Sequence, residues 1–115
     1  QNASLLVAIV SKPDYDCIVG DREYYMFDVG LAVQNIVLRA TELGLATHLM
    51  AGYSPQQTKD ILDIPEEMKV ITLLAISKQS ETINSDLSQE QIETEKNRPA
   101  RLDVDEFVYL NSVSE

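Results

Sequence analysis

Residues 25–44 read Tyr25-Met26-Phe27-Asp28-Val29-Gly30-Leu31-Ala32-Val33-Gln34-Asn35-Ile36-Val37-Leu38-Arg39-Ala40-Thr41-Glu42-Leu43-Gly44. Met26, Val29, Val33, Ile36, Val37, Ala40 and Leu43 recur at steps of three and four, the spacing that stacks side chains on one face of an α-helix. The pattern predicts a helix over 25–43 with Gly44 as its stop. Leu31, Ala32 and Leu38 fall off the main stripe, and Arg39 and Glu42 are the only charges after Asp28, so this helix is apolar nearly all round. Such a helix is expected to be buried on most sides. A chain of 115 residues has little interior to surround it, which leaves two readings: a second subunit covers part of it, or it is the core helix of a larger monomer.

Working outward, Ser4 to Val10 is a short, continuous apolar run rich in β-branched residues and reads as a buried strand. Asp14 to Glu23 mixes charges with Gly20 without a period and is expected to be a loop or flap, a common place for function. On the other side, Leu45 to Met50 is a strand candidate. Ser54-Pro55-Gln56-Gln57 is a helix start, with Ser54 as cap and Gln57 completing a capping box, and its helix runs to about Leu62. After the Ile64-Pro65-Glu66-Glu67 turn, Lys69 to Ile76 is the clearest strand. Strands separated by helices predict an α/β arrangement with some parallel pairing, in one domain over residues 1–115. Residues 78–98 are polar and read as a linker with one short helix near Ser88 to Glu95. Residues 99–111 bring back Val104, Phe107, Val108, Tyr109 and Leu110 and are expected to dock, on this domain or on a partner.

Composition narrows the function. Nineteen acidic and nine basic residues give a net charge of −10, which repels nucleic acid and anionic membranes. Aromatic residues make up 6% and Trp is absent, too few for a stacking platform. A single Cys17 and a single His48 exclude an intrachain disulfide and the usual Cys/His zinc sites. The first residues lack a signal peptide's basic stretch, and no apolar run spans a membrane, so a soluble chain in a reducing cytoplasm is expected. Gly20, Gly30, Gly44 and Gly52 are too far apart for a dinucleotide or Walker phosphate loop. No Ser/His/Asp set is recognisable, and the acidic pairs Glu66-Glu67 and Asp105-Glu106 read as solvated faces.

The order of motifs is more informative. Asp28-Val29-Gly30-Leu31-Ala32-Val33-Gln34-Asn35 is followed by Ala40-Thr41-Glu42-Leu43-Gly44-Leu45-Ala46-Thr47 and then by Met50-Ala51-Gly52-Tyr53. Here the chain resembles the nitroreductase family of FMN-dependent oxidoreductases, whose long helix carries D-x-G-x-A-x-Q-N and then A-x-x-L-G-L-G-T. Ile61-Leu62-Asp63-Ile64-Pro65 resembles the family's L-x-I-P, and Arg101 with Asp105-Glu106-Phe107-Val108 its terminal R-x-x-L-x-E-x-V. The resemblance runs from about Asn2 to Asn111. It departs where the third strand ends in Ser77-Lys78-Gln79 instead of Gly-Tyr-Pro, and where Ala46 and Ala51 stand in place of frequent glycines. Nothing matches the family's N-terminal Arg/Ser-rich motif, so the chain is expected to be the C-terminal portion of a longer enzyme or a truncated relative.

The resemblance implies an α/β (α+β) three-layer sandwich with a central mixed sheet and a long buried dimer helix, working as a homodimer with FMN between the chains. It implies that Leu49, Met50, Ala51 and Gly52 approach the reactive edge of the flavin, an ordinary strand-to-helix turn being the plain alternative. Arg101 matches the residue that reaches the FMN phosphate, with Arg98 and Lys96 near enough in sequence to substitute; the plain alternative is a solvated linker. Tyr24 and Tyr25 match the substrate-lining region, or pack against the helix start. The implied activity is electron transfer from NAD(P)H through FMN to a nitroaromatic, quinone or related small acceptor, without a catalytic side chain or a metal. The other readings are a non-catalytic flavin-binding or dimerising relative, and a small α/β interaction module.

Overall fold

Lys69–Ser77 is the strand on which the rest of the sheet is assembled. The computed structural model describes residues 3–97 and 100–113. In chain order its elements are β1 (Leu5–Ser11), β2 (Ile18–Val19), β3 (Arg22–Glu23), α1 (Tyr25–Glu42), β4 (Ala46–Met50), α2 (Pro55–Leu62), β5 (Lys69–Ser77) and α3 (Gln89–Lys96). The chain divides into two units, residues 1–79 and 80–115.

In the first unit the sheet order is β1-β5-β4, and both ladders are antiparallel. The parallel pairing expected from strand-helix-strand alternation is therefore absent from this sheet. β1 and β4 do run the same way, since each opposes β5, but β5 lies between them. The long α1 carries the chain back so that β4 starts where β1 did, and the helix crosses over a strand that comes later in sequence. β1 passes Ile71 without a partner, because Ile9 faces Thr72 and Val10 faces Val70. Such a bulge adds local twist to the ladder.

β5 carries Val70, Leu73, Leu74 and Ala75 in the core, with Leu74 fully buried. Successive strand residues point to opposite faces, so burial of both Leu73 and Leu74 shows that β5 is covered on both sides. From α1 only Tyr25, Val33 and Ala40 are buried. Phe27, Leu31 and Leu38 stay 52–62% exposed, so the chain alone does not bury this helix on most sides. One stripe is enough to seat it on a three-stranded sheet.

The helix ends follow their sequence signals. Gly44 adopts φ +70°, its N–H reaches the Thr41 carbonyl at 2.9 Å, and the Leu45 N–H reaches Ala40 at 2.9 Å, the paired closing bonds of a Schellman end. Ser54 accepts the Gln57 N–H at 3.3 Å, but the reciprocal bond of the expected capping box is not formed among the described residues. The α3 cap is complete: Ser88 and Gln91 satisfy each other at 3.2 and 2.8 Å. The expected flap over 14–23 is more ordered than its sequence suggests. It holds a single helical turn at Pro13–Tyr15 and the hairpin β2–β3, which turns through Gly20 at φ +67°. Two-residue strands are too short to show a period.

α2 is clasped to the turn behind it. Lys59 Nζ donates to the Glu66 carboxylate and to its carbonyl, both at 2.7 Å, and Gln56 donates to the other carboxylate oxygen at 2.9 Å. In the second unit, α3 is followed by a short helical turn at Val104–Glu106. Leu102, Val104, Phe107 and Leu110 there are 57–86% exposed.

A Cβ at Gly44 would meet nothing within 4 Å, so Gly44→Ala is expected to cost only its conformational penalty, about 1–2 kcal/mol in urea unfolding. The Glu66 carboxyl is held below its ordinary 4.5, first by the Lys59 hydrogen bond, next by that of Gln56, then by the Lys59 charge. Its stabilisation is present above that ordinary value and lost as pH falls through the depressed one. Glu66→Gln is accordingly expected to lower Tm at neutral pH, with the gap to the parent chain closing in acid.

Candidate functional site

The turn that joins β4 to α2 is held in place from β5. β4 ends with Leu49 opposite Leu74 and Met50 opposite Leu73. The Thr72 hydroxyl then donates to the Met50 carbonyl at 3.0 Å. Beyond the turn, the Tyr53 hydroxyl donates to the Val70 carbonyl at 2.8 Å, and the Tyr53 N–H closes onto Ala51 at 3.1 Å. Ala51 and Gly52 are thus suspended between two anchors on one strand, and both are exposed. Thr72 and Tyr53 are positioning residues whose anchoring role sequence reasoning missed: Tyr53 closes the quoted motif, but its partner Val70 and the hydroxyl of Thr72 lie on β5, 17 and 22 residues from the groups they bond, and no local signal links them.

Gly52 lies outside the left-handed region, and a Cβ built on it would meet nothing within 4 Å. Neither the backbone nor the packing of this chain requires glycine there. The missing side chain leaves open space against the backbone, which suits the approach of a flat ring to the amides of the turn. On its inner side Leu49 borders an open cleft of ≈ 300 Å³ between α1 and the sheet, with Met26, Val33, Val37, Ile71 and Thr72 among its walls.

The tyrosines at the start of α1 differ in placement. Tyr25 is 3% exposed, and its hydroxyl accepts from Lys69 Nζ at 3.0 Å. Lys69 lies 5.4 Å from the ring centre, which places it beyond the hydroxyl along the ring axis and not over the face; the contact is a hydrogen bond. That bond, followed by the charge interaction with Tyr25, raises the Lys69 pKa above 10.5. Lys69 also sits 4.0 Å from Glu23 on β3, tying the hairpin to the sheet. Tyr24 is half-buried, stands edge-on to Phe27 at 6.5 Å, and carries the Arg22 guanidinium at 5.6 Å from its ring.

Arg101 belongs to the second unit, outside its helices, and is exposed. Arg98 lies outside the described residues. Within the first unit Leu49 and Met50 end β4, and Ala51 and Gly52 form the turn that follows it. His48 sits on β4 opposite Ala75 and is exposed. Among the described residues there is no group of three His, Cys, Asp or Glu able to hold a metal ion, and no helix long and apolar enough to cross a membrane.

Similar folds occur in solved structures. A nitroreductase family protein from Clostridium novyi NT is 28% identical with a TM-score of 0.65, over 70% of this chain and 45% of that one. An oxidoreductase containing FMN is 22% identical with a TM-score of 0.77, over 98% of this chain and 57% of that one. A nitroreductase family protein from Clostridium difficile 630 is 20% identical with a TM-score of 0.72, over 97% and 62%. The chain thus spans about half the length of these proteins, and the two below 25% identity speak for the fold alone. No curated protein matches the chain. The nitroreductase family model matches residues 2–77, a stretch that includes the β4–α2 turn and both tyrosines and stops short of Arg101. With most of its length covered by that match, and with the same fold in the solved relatives, the chain belongs to the nitroreductase family.

Proposed function

We propose that this chain forms one wall of an FMN site in an NAD(P)H-dependent oxidoreductase that acts as a homodimer on a nitroaromatic, quinone or related small electrophilic acceptor. The observation that carries the reading is the end of β4 at Leu49 and Met50 with the exposed Ala51–Gly52 turn after it, anchored on both sides from β5 and open in front of Gly52, in a chain of this family. One of the solved relatives is described as an oxidoreductase containing FMN, and another, from Clostridium difficile R20291, as an FMN-dependent nitroreductase.

When bound, FMN would supply the redox chemistry, accepting hydride from NAD(P)H and passing electrons to the acceptor. The chain's own part is placement and electrostatics. The backbone N–H groups of Ala51 and Gly52 would donate to the flavin edge and favour negative charge there, and their position costs little at the moment of reaction because Thr72 and Tyr53 already hold the turn. Leu49 and Met50 would exclude water beneath the ring. Tyr24 would line the acceptor side, with Tyr25 fixing its position from within the core. Arg101 would bind the phosphate through its planar guanidinium. The exposed outward face of α1, including Phe27, Leu31 and Leu38, would be covered by the second copy of the chain; a face this apolar is a common mark of an interface.

Reconstitution tests the reading. FMN is added to the purified chain, free ligand is removed by gel filtration, and the visible spectrum and light-scattering mass of the protein peak are recorded. Flavin absorbance on a peak of dimer mass is expected, followed by NAD(P)H oxidation. Gly52→Val is expected to leave unfolding within about 0.5 kcal/mol of the parent, because its side chain enters open space, while the flavin retained falls by about tenfold or more. A colourless peak would remove the claim that this chain holds FMN, and a colourless dimer would favour a dimerising relative without flavin. A monomer would remove the α1 interface.

A further inference from the structure

Tyr24 is tied down on both of its flanks by one side chain. Lys69 opens β5, and its backbone is fixed in the ladder opposite Ser11. From there its ammonium donates to the Tyr25 hydroxyl at 3.0 Å and meets the Glu23 carboxylate at 4.0 Å. Glu23 and Tyr25 are the two neighbours of Tyr24 in the chain, so a group 44 residues from Tyr25 in sequence holds the residues before and after Tyr24 together.

The start of α1 lacks the usual local device. Tyr24 is its N-cap and offers no side-chain bond to the free N–H groups of the first turn, whereas Ser54 and Ser88 supply one at α2 and α3. The backbone of Tyr24 is bonded on both sides all the same. Its N–H donates to the Cys17 carbonyl at 3.2 Å, one pair beyond the β2–β3 ladder, and its carbonyl accepts the Asp28 N–H at 3.1 Å. Tyr24 is therefore the joint between hairpin and helix. Strands of two residues give the hairpin little stability of its own, so the joint depends on contacts from outside. Tyr25, 3% exposed, supplies one on the helix side and Glu23 one on the hairpin side, and both end on Lys69.

The two contacts differ in strength. Glu23 and Lys69 are each about half exposed, and an ion pair of 4.0 Å in that setting contributes little by itself. The bond to Tyr25 has a charged donor and is partly buried. It favours the ammonium, raising the Lys69 pKa above 10.5, and it holds that ammonium within reach of the Glu23 carboxylate. An ammonium carries three donors, so both contacts are made at once.

We propose that Lys69 is the positioning residue of Tyr24, acting through Tyr25 and Glu23, and that it thereby sets how tightly the acceptor is held. The effect on the acceptor rests on the flavin reading, whereas the placement of Tyr24 stands without it. Lys69 is next to Val70, whose carbonyl holds Tyr53 beyond the Ala51–Gly52 turn. Adjacent residues at the start of β5 thus hold the tyrosine of the acceptor side and the turn of the flavin side, and the distance between the two is referred to one strand instead of two loops.

Two readouts on the 115-residue chain test the proposal. Hydrogen exchange followed by NMR, without flavin, is expected to show the Tyr24 amide opening about fivefold faster in Lys69→Met relative to the Leu74 amide of the core, with Lys69→Arg restoring the parent ratio. Tyr25→Phe is expected to act in the same direction and to add little to Lys69→Met, since both remove one bond. In the FMN-loaded chain with p-benzoquinone as acceptor, Lys69→Met is expected to raise the acceptor KM about fivefold while flavin reduction by NAD(P)H stays within about twofold. A general loss of structure would lower both. An unchanged Tyr24 exchange ratio in Lys69→Met, no rescue by Lys69→Arg, or an unchanged KM in the loaded chain would each overturn the proposal. A chain that retains no FMN would end the flavin reading, and the exchange of Tyr24 would still decide whether Lys69 positions it. Should Lys69→Met not fold, Tyr25→Phe decides by the same ratio.

Discussion

The double-sided pairing of β5 is the constraint on which the rest of the first unit depends. It is the strand with a neighbour on each edge, and it carries most of the buried apolar residues. It also issues the side-chain bonds that place everything around it: Thr72 holds the end of β4, the Val70 carbonyl holds Tyr53 beyond the turn, and Lys69 holds Tyr25 at the start of α1. β4 pairs with β5 only from Leu73 to Ser77, so over residues 69–72 that edge has no strand beside it, and the Tyr53 hydroxyl occupies the Val70 carbonyl while ordering the turn. The candidate flavin turn and the helix start are thus both referred to one rigid element, as a site needing fixed geometry requires.

Against that rigid centre, the first unit keeps more apolar surface than its three strands can cover. α1 buries one stripe and leaves Phe27, Leu31 and Leu38 out; Leu5 and Leu6 on β1 and Ile61 and Leu62 on α2 are exposed as well. Scattered apolar residues are ordinary on a protein surface, but an apolar helix eighteen residues long is not. The chain's length against its relatives gives the surplus a context, since it spans about half of each.

How much was legible in the sequence depended on whether the signal was local. The α1 helix, the Gly44 stop, the short helix near Ser88 to Glu95 and the strand read at 69–76 follow from periodicity, composition and capping chemistry, which act within a few residues. The hairpin at 18–23 was missed because its strands are two residues each. The Leu49–Gly52 turn was legible as a motif, but the Thr72 and Tyr53 anchors were not, since their partners Met50 and Val70 lie 22 and 17 residues away. Tyr25 was read as lining a pocket or packing at the helix start, and its burial places it in the core.

By itself, then, the sequence determined the element types, their order and the family pattern, because helix period, strand composition and cap residues are properties of short segments. It also determined the strong negative charge and the lack of a Cys/His metal set. Only the tertiary structure decided that β5 enters between β1 and β4, turning an expected parallel pairing into two antiparallel ladders. Strand order is a choice among pairings of similar local character, and long-range packing settles it.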